Sequence, residues 1–279
     1  MPVTPEAGIQ ALVGAWQGED TPGQGFFLNV ASVSSSLFGA WFTYDTDILV
    51  DASAQRWFTI VSEPSAGEEN QLAFQIFENR GGAFDAAPIT SSTAVGSGTI
   101  RLVDCDEAIL SYRFEPDQLG RTPVGAIRLQ RSIPGSGRCG TQASAPIDLR
   151  SGAWFQPISS GQGLVFNSLR SSDTNVLAGG WFTYDPEGES NDPTSQHWFT
   201  FLGGDVGADG KTELTIYHTI GGSFDAQPTN NTERVGTAQF RVFDCGSAAF
   251  SYQFDDSEVA GPFAGRSGAK SLSRVTACP

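Results

Sequence analysis

Methionine occurs once and histidine twice in the 279-residue chain, and 16 basic residues face 31 acidic ones. A nucleic acid partner needs clustered Lys and Arg to displace counterions, and an anionic membrane surface needs the same charge. The chain has no such cluster, so neither partner is expected. Its net charge of −15 fits a solvated, self-repelling exterior instead. No apolar stretch approaches the roughly 20 residues of a membrane span, so no span is expected. No run with helical spacing is long enough to define a helix. G-x-S-x-G, H-E-x-x-H and phosphate-loop motifs are missing too, and no nucleophile–base couple is visible. The chain therefore reads as non-catalytic, with no cofactor and no metal.

Gly (33), Pro (15) and Phe (20) are plentiful. Short apolar-aromatic runs are broken by Gly, Pro, Asn, Asp and Ser, the pattern of many short strands and tight turns. The start, Met1-Pro2-Val3-Thr4, reads as a mature sequence behind an initiator Met, from which an export signal has been removed.

Self-comparison is the most informative operation. Gly14-Ala15-Trp16 recurs at Gly152-Ala153-Trp154, and Gly23-Gln24-Gly25 at Gly161-Gln162-Gly163. Trp41 to Asp45 (WFTYD) recurs at Trp181 to Asp185, and Trp57-Phe58-Thr59 at Trp198-Phe199-Thr200. Phe84-Asp85-Ala86 recurs at Phe224-Asp225-Ala226, and Asp104-Cys105 at Asp244-Cys245. The order is the same and the offset stays near 140, so the chain is a duplication. The expected organisation is a first module over 1–140, a short linker over 141–149 and a second module over 150–279. The two His are not part of the repeat: His197 aligns with Arg56 and His218 with Glu78.

Each copy has one cysteine pair. The spacing argues for two disulfides, Cys105–Cys139 and Cys245–Cys278, each worth roughly 3–4 kcal/mol in the chain-entropy model. Two Cys per module without nearby His make a poor zinc set. Disulfides imply an oxidising compartment: secreted, extracellular or cell-surface, with the periplasm as the alternative.

Eight strands are expected per copy, in the second at 153–155, 163–169, 176–184, 196–202, 213–220, 236–243, 248–254 and 270–275. Short connections make sequence neighbours pair antiparallel. The expected fold is all-β: two tandem antiparallel meander β-barrels of about eight strands each, with a flattened sandwich as the alternative. Closure removes edges, which favours the barrel.

The late strands alternate, with Phe250, Tyr252 and Phe254 on one face and Ser251 and Gln253 on the other. The WFTYD and WFT strands differ. Trp41 and Thr43 share one face, while Phe42 and Tyr44 share the other; Trp57 opposes Phe58. Trp181, Phe182, Tyr184, Trp198 and Phe199 repeat the pattern. Both faces are aromatic, so the outer one must be covered by a loop, the sister module, another chain or a ligand. These residues are the ligand or interface candidates, together with Gln24 and Gln162. For each glutamine, a Gly-dependent turn with an exposed side chain competes with an amide that holds a polar ligand. Asp45, Asp85, Asp104, Asp185, Asp225 and Asp244 read as turn caps, and Asp205 to Gly210 as a hairpin turn lacking calcium-loop spacing.

The run Gly152 to Pro157, Ser160-Gly161, Trp181 to Asp185 and Trp198 resembles a recurrent WFTYD-type domain of proteobacterial secreted and surface proteins. The resemblance implies an exported all-β fold and covers nearly all of both copies. The first copy departs from it at Gln17-Gly18-Glu19 and Ile48-Leu49. The meander and the leading G-x-W are also similar to avidin- and lipocalin-type barrels.

Two functional expectations follow. The first is a structural or adhesive extracellular protein that self-associates, or joins other surface proteins, through its aromatic strand faces into a layer, sheath or filament. The second is a barrel pair that binds a small apolar molecule or a glycan. An open apolar lumen in each barrel supports the second; a mouth packed shut by Trp and Phe removes it. An enzyme is the remaining alternative.

Overall fold

The computed structural model describes residues 10–31, 36–46, 54–62, 71–86, 90–116, 122–136, 148–159, 161–170, 175–187, 192–226, 231–276 and 278. The linker expected at 141–149 lies largely outside them, as do Cys139, Ile48 and Leu49.

The chain forms two closed antiparallel barrels. The first runs β1 (Gly14–Gly18), β2 (Gly25–Val30), β3 (Leu37–Tyr44), β4 (Gln55–Ser62), β5 (Gln71–Arg80), β6 (Ser91–Leu102), β7 (Glu107–Phe114) and β8 (Val124–Arg131). The second runs β9 (Gly152–Phe155), β10 (Gly163–Arg170), β11 (Asn175–Tyr184), β12 (Gln196–Gly203), β13 (Thr212–Ile220), β14 (Asn231–Val242), β15 (Ser247–Phe254) and β16 (Ser267–Arg274). Sequence neighbours pair throughout. Pairing of Trp16 with Arg131 and of Trp154 with Arg274 closes each sheet.

β14 starts earlier than the spacing predicts. A bulge between Ile216 and Tyr217 absorbs an extra residue, so pairing continues to Ile220 opposite Asn231. β16 also starts early, because Ser267 and Gly268 pair with Gln253 and Tyr252. Asp205 to Gly210 is the expected hairpin turn, closed by a bond from Gly207 N–H to Lys211 C=O of 2.7 Å.

Alternation fills each lumen. Phe250, Tyr252 and Phe254 are buried inside the second barrel with Trp154 and Trp181. Trp16, Trp41 and Phe58 occupy the first. The closing arginine caps the floor. The Arg131 guanidinium lies 4.1 Å from the Trp16 ring centroid and donates to the carbonyls of Cys105 (2.6 Å), Val13 (2.9 Å) and Ala11. Arg274 lies 4.1 Å over Trp154 and donates to the carbonyls of Cys245, Ser151 and Leu149. Burial pushes both guanidinium groups down to about 10. The glycine of each GAW follows from this geometry. Gly14 has φ 138° and Gly152 φ 140°, and a Cβ there would meet the arginine head at 2.6 and 2.2 Å.

Cys245 and Cys278 form a disulfide that ties the β14–β15 turn to the end of the chain. Cys105 is also disulfide-bonded. Its expected partner, Cys139, is outside the described residues.

Candidate functional site

The outer faces of the WFTYD and WFT strands are covered by the sister module. Trp57, Phe182, Tyr44, Tyr184 and Trp198 join Phe27, Val165, Leu169 and small alanines in a third buried core between the barrels, with Phe42 packed against it. Trp41, Phe58, Trp181 and Phe199 point the other way, into the lumens. Period-two alternation sorts the candidates onto these two faces.

The seam repeats each contact with the modules exchanged. Trp57 donates its indole N–H to the Thr183 carbonyl (3.1 Å), and Trp198 donates to that of Thr43 (3.0 Å). Trp57 packs against Phe182 and Tyr184, each at a centroid distance of 5.8 Å. Trp198 packs against Phe42 (5.2 Å) and Tyr44 (5.6 Å). Gln55 Nε2 donates to the Trp198 carbonyl (3.0 Å) and Gln196 Nε2 to that of Trp57 (3.2 Å). Their Oε1 atoms accept the Trp198 and Trp57 backbone N–H groups, each at 3.2 Å. These side-chain amides pair backbone that the close approach of β4 and β12 cuts off from water. Burial raises the phenols of Tyr44 and Tyr184, so both stay neutral.

Gln24 and Gln162 are buried, at 4% and 7% exposure, which overturns the exposed-turn reading. Each is oriented by a threonine, Thr43 at 2.6 Å and Thr183 at 2.8 Å. Gln24 Nε2 donates to the carbonyls of Ser223 (2.9 Å) and Ala226 (3.4 Å); Gln162 Nε2 does the same for Ala83 (2.9 Å) and Ala86 (3.4 Å). Each glutamine thus holds the Phe-Asp-Ala turn of the other module.

These turns close the barrel mouths. Phe224 enters the first barrel against Trp41 (5.5 Å), Tyr112 (5.5 Å) and Phe114 (5.8 Å). Phe84 enters the second against Trp181 (5.4 Å), Tyr252 (5.9 Å) and Phe263 (5.1 Å). The aspartates follow their phenylalanines. Tyr112 donates to Asp225 (2.5 Å), Tyr252 donates to Asp85 (2.8 Å), and Lys270 pairs with Asp85. Burial holds the Asp225 carboxyl above the usual range, opposed by the Tyr112 hydrogen bond. Burial lowers the Lys270 ammonium, opposed by Asp85. Asp85 and Asp225 are therefore crossing anchors rather than local caps. Asp104 and Asp244 do cap turns, each accepting two backbone N–H groups at 2.8 Å. Asp185 caps its turn too, accepting the Glu187 N–H at 2.6 Å, and faces His197 (3.5 Å); Asp45 faces Arg56 (2.6 Å).

Sequence reasoning missed the crossing of the two turns. A signal was available: a turn needs Gly and Asp, but has no use for a phenylalanine retained in both copies.

A cavity of about 200 Å³ opens at the seam, walled by Phe38, Trp57, Phe155 and Phe182, with Asn79 and Gln162 as polar groups. A second hollow of about 450 Å³ lies beside Ile133, Leu169 and Leu202. Among the described residues no aromatic ring lines the second, and Leu202 is half exposed. Among the described residues no group of three or more His, Cys, Asp or Glu is placed to hold a metal, and no helix is long and apolar enough to cross a membrane. No protein-family model matches the chain, and no curated protein matches it in sequence.

Proposed function

We propose that the protein is a non-catalytic binding module that works outside the cytoplasm, and that its ligand is a small neutral aromatic or apolar molecule held at the seam. The single observation behind this reading is the aromatic-walled cavity of about 200 Å³. That volume suits a molecule between one and two fused rings, since an apolar cavity of about 150 Å³ holds benzene. Asn79 and Thr59, hydrogen-bonded to each other at 3.2 Å on the cavity wall, supply the few polar contacts that orient such a ligand. Phe84 and Phe224 fill the barrel mouths, which removes the lumens as the ligand site and leaves the seam. The disulfide supports the oxidising location, as does the resemblance to exported WFTYD-type domains.

The test is titration with indole and 2-naphthol, followed by saturation-transfer NMR. Saturable binding is expected, and Val275→Trp, which places a ring at the half-exposed rim, weakens it at least tenfold. No saturation, or equal binding by the variant, overturns the reading.

A second reading, a structural or adhesive unit that self-associates, rests on the exchange symmetry of the seam. A contact set that repeats with the modules exchanged has the geometry to join modules of different chains once the seam within one chain opens. Light scattering at rising concentration tests it, and a strict monomer counts against it.

A further inference from the structure

The barrel mouths carry more than a plug needs. An apolar ring alone would seal a lumen, yet each mouth addresses several separate features of the turn it holds. Four aromatic faces in the second mouth and three in the first surround the phenylalanine. A phenol reads the following carboxylate. One glutamine amide reads two carbonyls of the turn; in the first barrel its Oε1 also accepts the Asp225 N–H (3.4 Å). A tyrosine ring reads the glycine two residues before the phenylalanine. A Cβ on Gly222 would lie 2.0 Å from Tyr44, and one on Gly82 would lie 1.7 Å from Tyr184. The aspartate sits in the left-handed region, φ 51° at Asp85 and 47° at Asp225, which presents its side chain toward the phenol. The same reading set occurs in two modules whose other residues have diverged.

We infer that each barrel mouth is a recognition site for a peptide turn of the form Gly-x-Phe-Asp-Ala, filled here by the sister module and suited to the same turn of a second copy of this chain. Every chain carries two such turns and two such mouths, so withdrawal of a turn within one chain leaves a mouth that another chain's turn fits. The two mouths differ in charge. Lys270 faces the carboxylate in the second, while Ile127 takes the corresponding strand position in the first. The second mouth is therefore the more selective for Asp over a neutral residue. This inference is independent of the seam cavity.

The test uses the full chain with Phe224→Gly and Asp225→Gly, which strips the turn from the first mouth. The probe is acetyl-Gly-Gly-Ser-Phe-Asp-Ala-amide, the sequence of Gly221 to Ala226, labelled for fluorescence anisotropy. Saturable binding at least tenfold tighter than to the unaltered chain is expected. Peptides with Phe→Ala or Asp→Ala should each bind at least tenfold more weakly. If the variant is destabilised, millimolar peptide should raise its melting temperature by mass action. The inference is overturned by a variant that neither binds the peptide nor gains stability from it, or that takes the Phe→Ala peptide equally well. The second mouth repeats the test with Phe84→Gly and Asp85→Gly and the sequence of Gly81 to Ala86. There Lys270→Ala should weaken binding, whereas Ile127→Ala in the first mouth should leave the Asp preference unchanged.

Discussion

Trp57 and Phe58 are consecutive residues of β4 that face opposite ways, and this makes them a controlled pair. Both are buried, at 2% and 9% exposure. Phe58 fills the first lumen, and all its ring partners belong to the first barrel. Trp57 crosses the seam to Phe182, Tyr184 and the Thr183 carbonyl. Removing an indole of about 200 Å² from its site forfeits about 5 kcal/mol at about 25 cal/mol/Å². Large-to-small substitutions of this size cost about 3–5 kcal/mol in practice. The Thr183 carbonyl also loses its donor, a further cost of about 1–3 kcal/mol that water entering the vacated space partly offsets. Trp57→Ala and Phe58→Ala should therefore be comparably destabilising, each consuming a large part of a typical 5–15 kcal/mol. They should differ in where the loss is felt. Native-state hydrogen exchange should show protection falling in both β4 and β11 for Trp57→Ala, but in the first barrel alone for Phe58→Ala. Equal confinement of both losses to the first barrel would refute the shared core.

Other outcomes follow from single groups. Burial, with His197 as the secondary cause, pushes His218 down to about 4, and its Nε2 has no hydrogen-bond partner among the described residues. The folded state thus prefers neutral His218. Its contribution is complete above pH 6.5 and is lost as pH falls toward 4, by up to about 3 kcal/mol at 1.36 kcal/mol per tenfold in proton affinity. Denaturation midpoints against pH should show this slope, and His218→Gln should flatten it. Arg131→Ala should cost about 3 kcal/mol or more by leaving buried carbonyls without donors. Arg131→Lys should recover little of this in thermal melts, because one Nζ cannot stand where Nε, Nη1 and Nη2 each meet a different carbonyl. Cys245→Ser with Cys278→Ser reopens a loop of sequence separation 33. It should lower stability by roughly 3–4 kcal/mol, and a reductant titration of the unaltered chain, which opens the Cys105 disulfide as well, should produce a larger fall in melting temperature.

Much of the architecture was legible because it rests on local rules. Strand boundaries in the second copy fell within a residue or two wherever alternation and turn residues agreed. They failed at β14, where a bulge, which alternation cannot register, let pairing run on, and at the start of β16, where Ser267 and Gly268 pair ahead of the expected strand. The two-faced aromatic strands were legible as a demand for burial on both sides. Trp57 and Trp198 carried that demand, although their sequence did not say which surface would meet it. Gln24 and Gln162 were legible only as candidates, because a glutamine between glycines reads the same in an exposed turn as in a buried clamp.

The duplication, the all-β meander and the Cys245–Cys278 pairing were determined by sequence alone, since repetition, period and spacing are properties of the chain. The exchange of Phe84 and Phe224 between barrels was decided only in three dimensions. Gly-Gly-x-Phe-Asp-Ala has the same local conformational preferences whether its ring turns back to its own barrel or across to its neighbour. The geometry of two barrels pressed face to face brings each turn to the opposite mouth, and that arrangement depends on residues 76 to 202 positions apart meeting in space.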